Sequence, residues 1–211
     1  MSPRSNSTNM RMRAQAKAKI LRCAHRLFSE RGYDSTSLAR IAAEAGVSAG
    51  LTVYYFRTKH HIVQALADRL LHEKVVRRIR ALAPGIGPDE RLAALIDAIL
   101  ECAAAEPRII ALYLSLLLRP GIAETLADAE HEYEEQIAVL AQEILACREG
   151  DSVSAQLLFR ASMMGAVYGL VSPYQPLPLE TARAHMYAQY GLKFPPSTGT
   201  HRQEQPTETT P

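Results

Sequence analysis

Apolar residues recur along this chain with a helical period. Ile20, Ala24, Leu27 and Phe28 fall at i, i+4, i+7 and i+8, and Gly32 then stops the helix. A short helix is predicted over 37–45, with Thr36 as its N-cap and Gly46 just past its end. Another short helix starts at Ser48, and a long one runs from Thr58 to about Leu82. The run Pro84-Gly85-Ile86-Gly87-Pro88 breaks the chain. Further helices are predicted at about 89–104, 107–118, 122–148, 152–171 and 179–190. Pro107 suits a first helical turn, Pro120-Gly121 is a break, and Asp151-Ser152 offers an N-cap. No segment shows strand alternation of useful length, so the fold class is all-α. Residues 1–10 and 195–211 are polar and aperiodic, and are read as disordered.

The stretch Thr36 to Phe56 carries the most information. Two short capped helices meet at Ala45-Gly46-Val47, where Gly46 permits a sharp turn. Ala42 and Ala43 allow close helix approach, and Ile41, Val47 and Leu51 form an apolar seam that Leu27 and Phe28 cover. This is a helix-turn-helix on a support helix, with its second helix suited to the DNA major groove. Thr36, Ser37 and Ser48 place hydroxyls and free N–H groups at helix starts, which suits phosphate. Ala49 and Gly50 are small enough for close approach to DNA. Thr52, Val53, Tyr54 and Tyr55 are the sizeable side chains left on the second helix. Thr52 and Val53 are candidates for base edges or a thymine methyl, and Tyr55 and Lys59 for phosphates. The helix carries no Arg or Asn, so specificity is expected to rest on apolar contacts and DNA shape.

Charge sharpens this reading. The 211 residues carry a net charge of only +2, with 47% hydrophobic and 22% charged positions. Residues 1–82 hold a net +11 and residues 83–211 a net −9. A basic module for a polyanion is thus joined to an acidic body. Arg11, Arg13, Lys17 and Lys19 precede the first apolar turn and suit an arm that reaches phosphates or a minor groove. The same cluster is equally consistent with a solvated tail. The longest apolar run, Ile109 to Leu118, is half the ~20 residues a membrane span needs. The N-terminus has no apolar signal region. Cys23, Cys102 and Cys147 match no zinc or disulfide spacing and are read as buried thiols in a reducing cytoplasm.

The residues from Ile20 to Ile62 resemble the N-terminal domain of the TetR family of transcriptional regulators. The resemblance rests on Ile20, Ala24, Leu27, Phe28, Glu30, Gly32, Tyr33, Thr36, Ser37, Ile41, Ala42, Ala45, Gly46, Val47, Ser48, Gly50, Tyr55, Phe56, Lys59 and Ile62. The commonest family pattern has Leu and Tyr where this chain has Thr52 and Val53. The segment Gly50 to Phe56 is instead similar to a minority variant found among betaine-pathway repressors. The resemblance implies an N-terminal three-helix helix-turn-helix domain followed by a larger helical ligand-binding and dimerisation domain. The expected organisation is a flexible basic arm (1–13), the DNA-binding domain (14–60), the helical body (61–194) and a disordered tail (195–211).

In the body, Ile109 to Leu118 is apolar nearly all round and is expected to be buried on every side, as a pocket wall. Cys102, Tyr113, Leu117, His131, Met163, Met164 and Tyr168 are candidate ligand contacts, although each taken singly reads first as ordinary core. Arg119 and Arg160 are available to an acidic ligand or to the many nearby carboxylates. Ala161, Gly165 and Gly169 form a small-residue stripe, read from the resemblance as a homodimer contact. A dimer also gives two reading helices the spacing of successive half-sites, roughly 34–36 Å.

The expected function is a DNA-binding transcriptional regulator: a cytoplasmic homodimeric repressor, nucleoid-associated when bound. A small molecule in the body would release it from its operator, and no cofactor or membrane is involved. An enzyme is not expected. A di-iron site needs two Glu-x-x-His pairs, and only Asp128-x-x-His131 comes near one. His60 and His61 are adjacent and point apart. The alternative function is a helical protein-interaction module without specific DNA binding.

Overall fold

The computed structural model describes residues 3–119, 132–149 and 152–193. Helix α1 spans Pro3–Arg31, α2 Leu38–Ala45, α3 Ala49–Tyr55 and α4 Lys59–Leu71. One π turn, His72–Val76, joins α4 to α5, Arg77–Arg80. Helices α6 (Pro88–Ala105), α7 (Pro107–Leu117), α8 (Glu132–Glu149), α9 (Ser152–Val171) and α10 (Leu179–Gln189) follow. The described residues contain helices and no strands, as the periodicity predicts. His131, Asp128 and the tail 195–211 lie outside the described residues.

Local chemistry sets the helix ends. Ser48 and Thr58 cap α3 and α4 by accepting from Leu51 N and His61 N, at 3.1 and 3.4 Å. Gly46 closes α2 with φ 64°, a left-handed conformation that glycine takes at little cost. The cap of α2 is Ser37, not Thr36: Ser37 Oγ accepts from Arg40 N at 3.1 Å. The first helix also differs from expectation. It begins at Pro3, so residues 3–13 continue α1 and are not an irregular arm. Met10, Met12, Ala14, Ala16 and Ala18 are good helix formers, and no Gly or Pro interrupts them. Residues 8–15 are exposed, so this extension is helical by propensity and not by packing.

Two hydrophobic cores organise the chain. The head core joins Ile20, Leu27 and Phe28 of α1, Ile41 of α2, Phe56, and Ile62 and Leu66 of α4. Ile109, Tyr113 and Leu116 of α7 belong to the same core. The body core joins Val75, Val76 and Ile79 to Leu92, Leu95 and Ile96 of α6, with Ile144 of α8, Phe159 of α9 and Met186 of α10. The opposite side of α7 packs here through Ile110 and Leu114. Helix α7 is therefore a wedge between the two cores. That explains its near-continuous apolar character, although Leu118, the C-cap just past its end, is 82% exposed and so is not buried as expected.

Polar contacts brace the same junction. His25 Nε2 lies 3.0 Å from Glu106 Oε2, and Arg108 donates to the Ser29 carbonyl at 2.8 Å. In the body, Arg183 of α10 donates to Asp97 at 2.8 Å and Glu101 at 3.0 Å, both on α6. Tyr187 donates to the second Asp97 oxygen at 3.0 Å. Burial, then the Asp97 charge, pushes the Tyr187 phenol up to about 12. Of the three cysteines only Cys102 is buried; Cys23 is half-buried and Cys147 exposed, contrary to the reading of all three as core.

Candidate functional site

Helix α3 is held by its inner residues. Thr52 is fully buried and its hydroxyl donates back to the Ser48 carbonyl at 3.3 Å. Leu51 is half-buried, and Tyr55 is half-buried against the head core. With a period of 3.6, this leaves Ala49, Gly50, Val53 and Tyr54 facing outward. Val53 and Tyr54 are 49% and 69% exposed. The outer face of α3 is thus apolar apart from one phenol.

This arrangement corrects two expected DNA contacts, Thr36 and Thr52. Thr36 is 1% exposed and donates to the Gly32 carbonyl at 2.8 Å, so it fastens the α1–α2 turn and offers nothing to a phosphate. Thr52 faces inward and cannot reach a base edge. Lys59 donates to the Tyr33 carbonyl at 2.7 Å and lies 4.2 Å from that ring's centroid. Its ammonium holds the start of α4 against the turn after α1. Ser37, Ser48, Ala49, Gly50, Val53 and Tyr54 remain outward, and Tyr55 is half-covered.

Two cations escaped the sequence reading. Arg40 on α2 and Arg57, directly after α3, are exposed and make no ion pair with a described residue. Arg57 sits between the α3 C-cap and the α4 N-cap, and that position between two caps is the signal that marks it. Arg11, Arg13, Lys17 and Lys19 are exposed on α1. The Lys17 ammonium lies 5.9 Å from the ring centroid of Phe56, the α3 C-cap. Lys17 and Arg57 therefore put positive charge at the C-terminal end of α3.

A second site lies in the body. A cavity of about 430 Å³ is walled by α6, α7, α8 and α9. Cys102, Tyr113, Leu117, Met163 and Met164 line it, as expected, with Ile110, Phe159 and Arg160. Burial pushes the Cys102 thiol up to about 11, so it is neutral. Tyr168 is not part of the cavity wall. It is 60% exposed and shares the outer face of α9 with Leu157, Ala161 and Gly165. Tyr113 lines the cavity and also belongs to the head core.

The small-residue stripe on α9 divides in two. A Cβ on Gly169 would stand 2.5 Å from Leu177, whose N–H donates to the Gly169 carbonyl at 2.9 Å. Gly169 thus serves the chain's own 172–178 loop and leaves the expected dimer stripe. Ala161 and Gly165 stay exposed, and nothing lies within 4 Å of a Cβ on Gly165.

Comparison with known proteins agrees with this geometry. Residues 20–66 match the family model described as bacterial regulatory proteins, tetR family. The chain is similar to the HTH-type transcriptional regulator TtgR of Pseudomonas putida, 44% identical over 59 residues that cover 28% of each protein. It is 35% identical over 72 residues to the regulator BetI of Escherichia coli, covering 33% of this chain and 36% of BetI. These matches span 28% and 36% of the two relatives' own lengths. The whole fold is similar to that of Thermus thermophilus FadR, a repressor solved with lauroyl-CoA. The TM-score is 0.66 at 24% identity, over 87% of this chain and 99% of that one. Residues 20–66 therefore carry the domain described as bacterial regulatory proteins, tetR family, and the fold over 87% of the chain is similar to that of a solved repressor.

Proposed function

We propose that the protein is a sequence-specific DNA-binding repressor, released from its operator by a small apolar molecule bound in the body. The observation that carries this is the outer face of α3: it is folded outward, unused by the chain itself, and has positive charge at its C-terminal end. Phosphate contacts hold such a helix in the groove while its face reads bases. The protein works in the bacterial cytoplasm, on the nucleoid, as a homodimer. The exposed stripe Leu157, Ala161, Gly165 and Tyr168 supports association of α9 with a second copy. Its glycine leaves room for a facing helix.

The cavity is within the size range of small-molecule sites. Its wall is mostly apolar, with Glu135, Gln156 and Arg160 as the polar exceptions, so an apolar ligand body with a polar or charged tip is favoured there. The FadR neighbour holds lauroyl-CoA, which makes acyl compounds the first class to test. Release runs through α7. A ligand that displaces Tyr113 disturbs a residue of the head core, and so biases the two heads toward another conformer.

The test uses fluorescence anisotropy on duplex DNA. Replacing Arg40 and Arg57 together with Ala should weaken binding to every duplex sequence and make the log–log salt slope about 2 less steep. An unchanged affinity and slope would place the DNA contact elsewhere. In a thermal-shift assay, lauroyl-CoA should raise the midpoint by linkage, and it should lower DNA affinity in the same preparation.

A further inference from the structure

A recognition helix usually discriminates bases through paired hydrogen bonds from Arg, Lys, Asn, Gln or carboxylates. The outer face of α3 has none of these: it presents Ala49, Gly50, Val53 and Tyr54. The only aliphatic hydroxyl of the helix, that of Thr52, is turned inward and donates to the Ser48 carbonyl. Ala49 and Val53 stand four residues apart and form one apolar stripe. Val53 is 49% exposed, an unfavourable position for a β-branched residue that is also a weak helix former. Its side chain is stiff at χ1, so little freedom is lost when it meets a partner.

Gly50 points the same way. It lies inside a helix, where glycine costs stability, and nothing lies within 4 Å of a Cβ placed on it. No neighbour in the protein requires the missing side chain. The space is open toward the outside, beside the Ala49–Val53 stripe. In the major groove, the only apolar feature of a base edge is the thymine C5-methyl.

We infer that the Ala49–Val53 stripe reads thymine C5-methyl groups, and that these methyls carry the operator specificity of this chain in place of bidentate hydrogen bonds to purines. Gly50 allows the helix to sit close enough for that contact. This rests on the reading of α3 as the DNA-reading helix.

The experiment enriches a duplex from a random pool with the full chain, then replaces its thymines one at a time with deoxyuridine. Deoxyuridine keeps every hydrogen-bonding group and removes only the methyl. Affinity is expected to fall roughly fourfold at each methyl that Val53 covers, the loss of one buried methyl. In Val53→Ala, with folding checked by thermal melting, the same replacement should cost less than about twofold, because the two changes are coupled. An enriched duplex indifferent to deoxyuridine would overturn the inference while leaving DNA reading by α3 intact. A deoxyuridine loss that persists undiminished in Val53→Ala would overturn the assignment to this stripe. A pool that yields no enriched sequence would overturn both the DNA-reading function and the inference built on it.

Discussion

Helices α3 and α9 present similar outward faces in opposite electrical settings. Each exposes apolar side chains: Val53 and Tyr54 on α3, Leu157 and Tyr168 on α9. Each carries a glycine with open space where its Cβ would be, Gly50 and Gly165. Around α3 the chain is basic, with Arg40, Arg57 and Lys17 nearby; residues 83–211, which contain α9, carry a net −9. An apolar face inside a cationic surface complements a polyanion with apolar groups in its groove. The same face on an acidic body repels DNA and complements another apolar helix. Exposed apolar residues alone therefore do not identify a partner; the surrounding charge does.

The largest expected effect separates the two faces outright. Val53→Glu places a carboxylate among phosphates and should cost on the order of 100-fold or more in DNA affinity. Its melting midpoint should stay near that of the parent protein, because Val53 is outside the core. Asp97→Ala should do the reverse. It strips Arg183 and Tyr187 of a shared, largely buried partner and should lower stability by about 2–4 kcal/mol in chemical denaturation. DNA affinity measured below the melting range should not change.

Glycine replacements sharpen the comparison further. Gly169→Ala drives a methyl into Leu177 and should destabilise by about 1–2 kcal/mol, as overpacking does. Gly50→Ala and Gly165→Ala should instead raise helix stability by about 0.5–1 kcal/mol each. Their costs appear in different assays. Gly50→Ala weakens DNA binding, and Gly165→Ala weakens self-association in sedimentation equilibrium.

The smallest expected effect is a pH dependence confined to the head. Burial, then the charge of Arg119 and the neighbouring His61 and Lys59, hold His60 below its ordinary value of 6.5. The unfolded chain therefore binds more protons than the folded one as pH falls below 6.5, and stability declines over that interval. His60→Asn should flatten the slope in denaturant melts between pH 7 and 5.

Much of this was legible in the residues themselves. Gly32, Gly46, the caps at Ser48 and Thr58, and the Pro84–Pro88 break all mark real boundaries, because caps and glycines act locally. Five of the expected cavity residues converge because bulky side chains on several helices fill one layer. The failures have a common cause. Thr36 and Thr52 are polar, yet the packed fold covers both, and each hydroxyl is satisfied by a carbonyl four residues back. Gly169 looked like a docking position until the 172–178 loop folded back on it. Each depends on what a side chain meets across the fold, and spacing along the chain is silent on that.

The most direct test of the account is the affinity of the full chain for an enriched duplex and for its base-scrambled counterpart, measured across a salt series. Head-first binding predicts a preference for the enriched duplex of about 10³ or more. It also predicts that log affinity falls with log salt by about 0.9 for each phosphate neutralised. Equal binding to both duplexes, or affinity indifferent to salt, would contradict it.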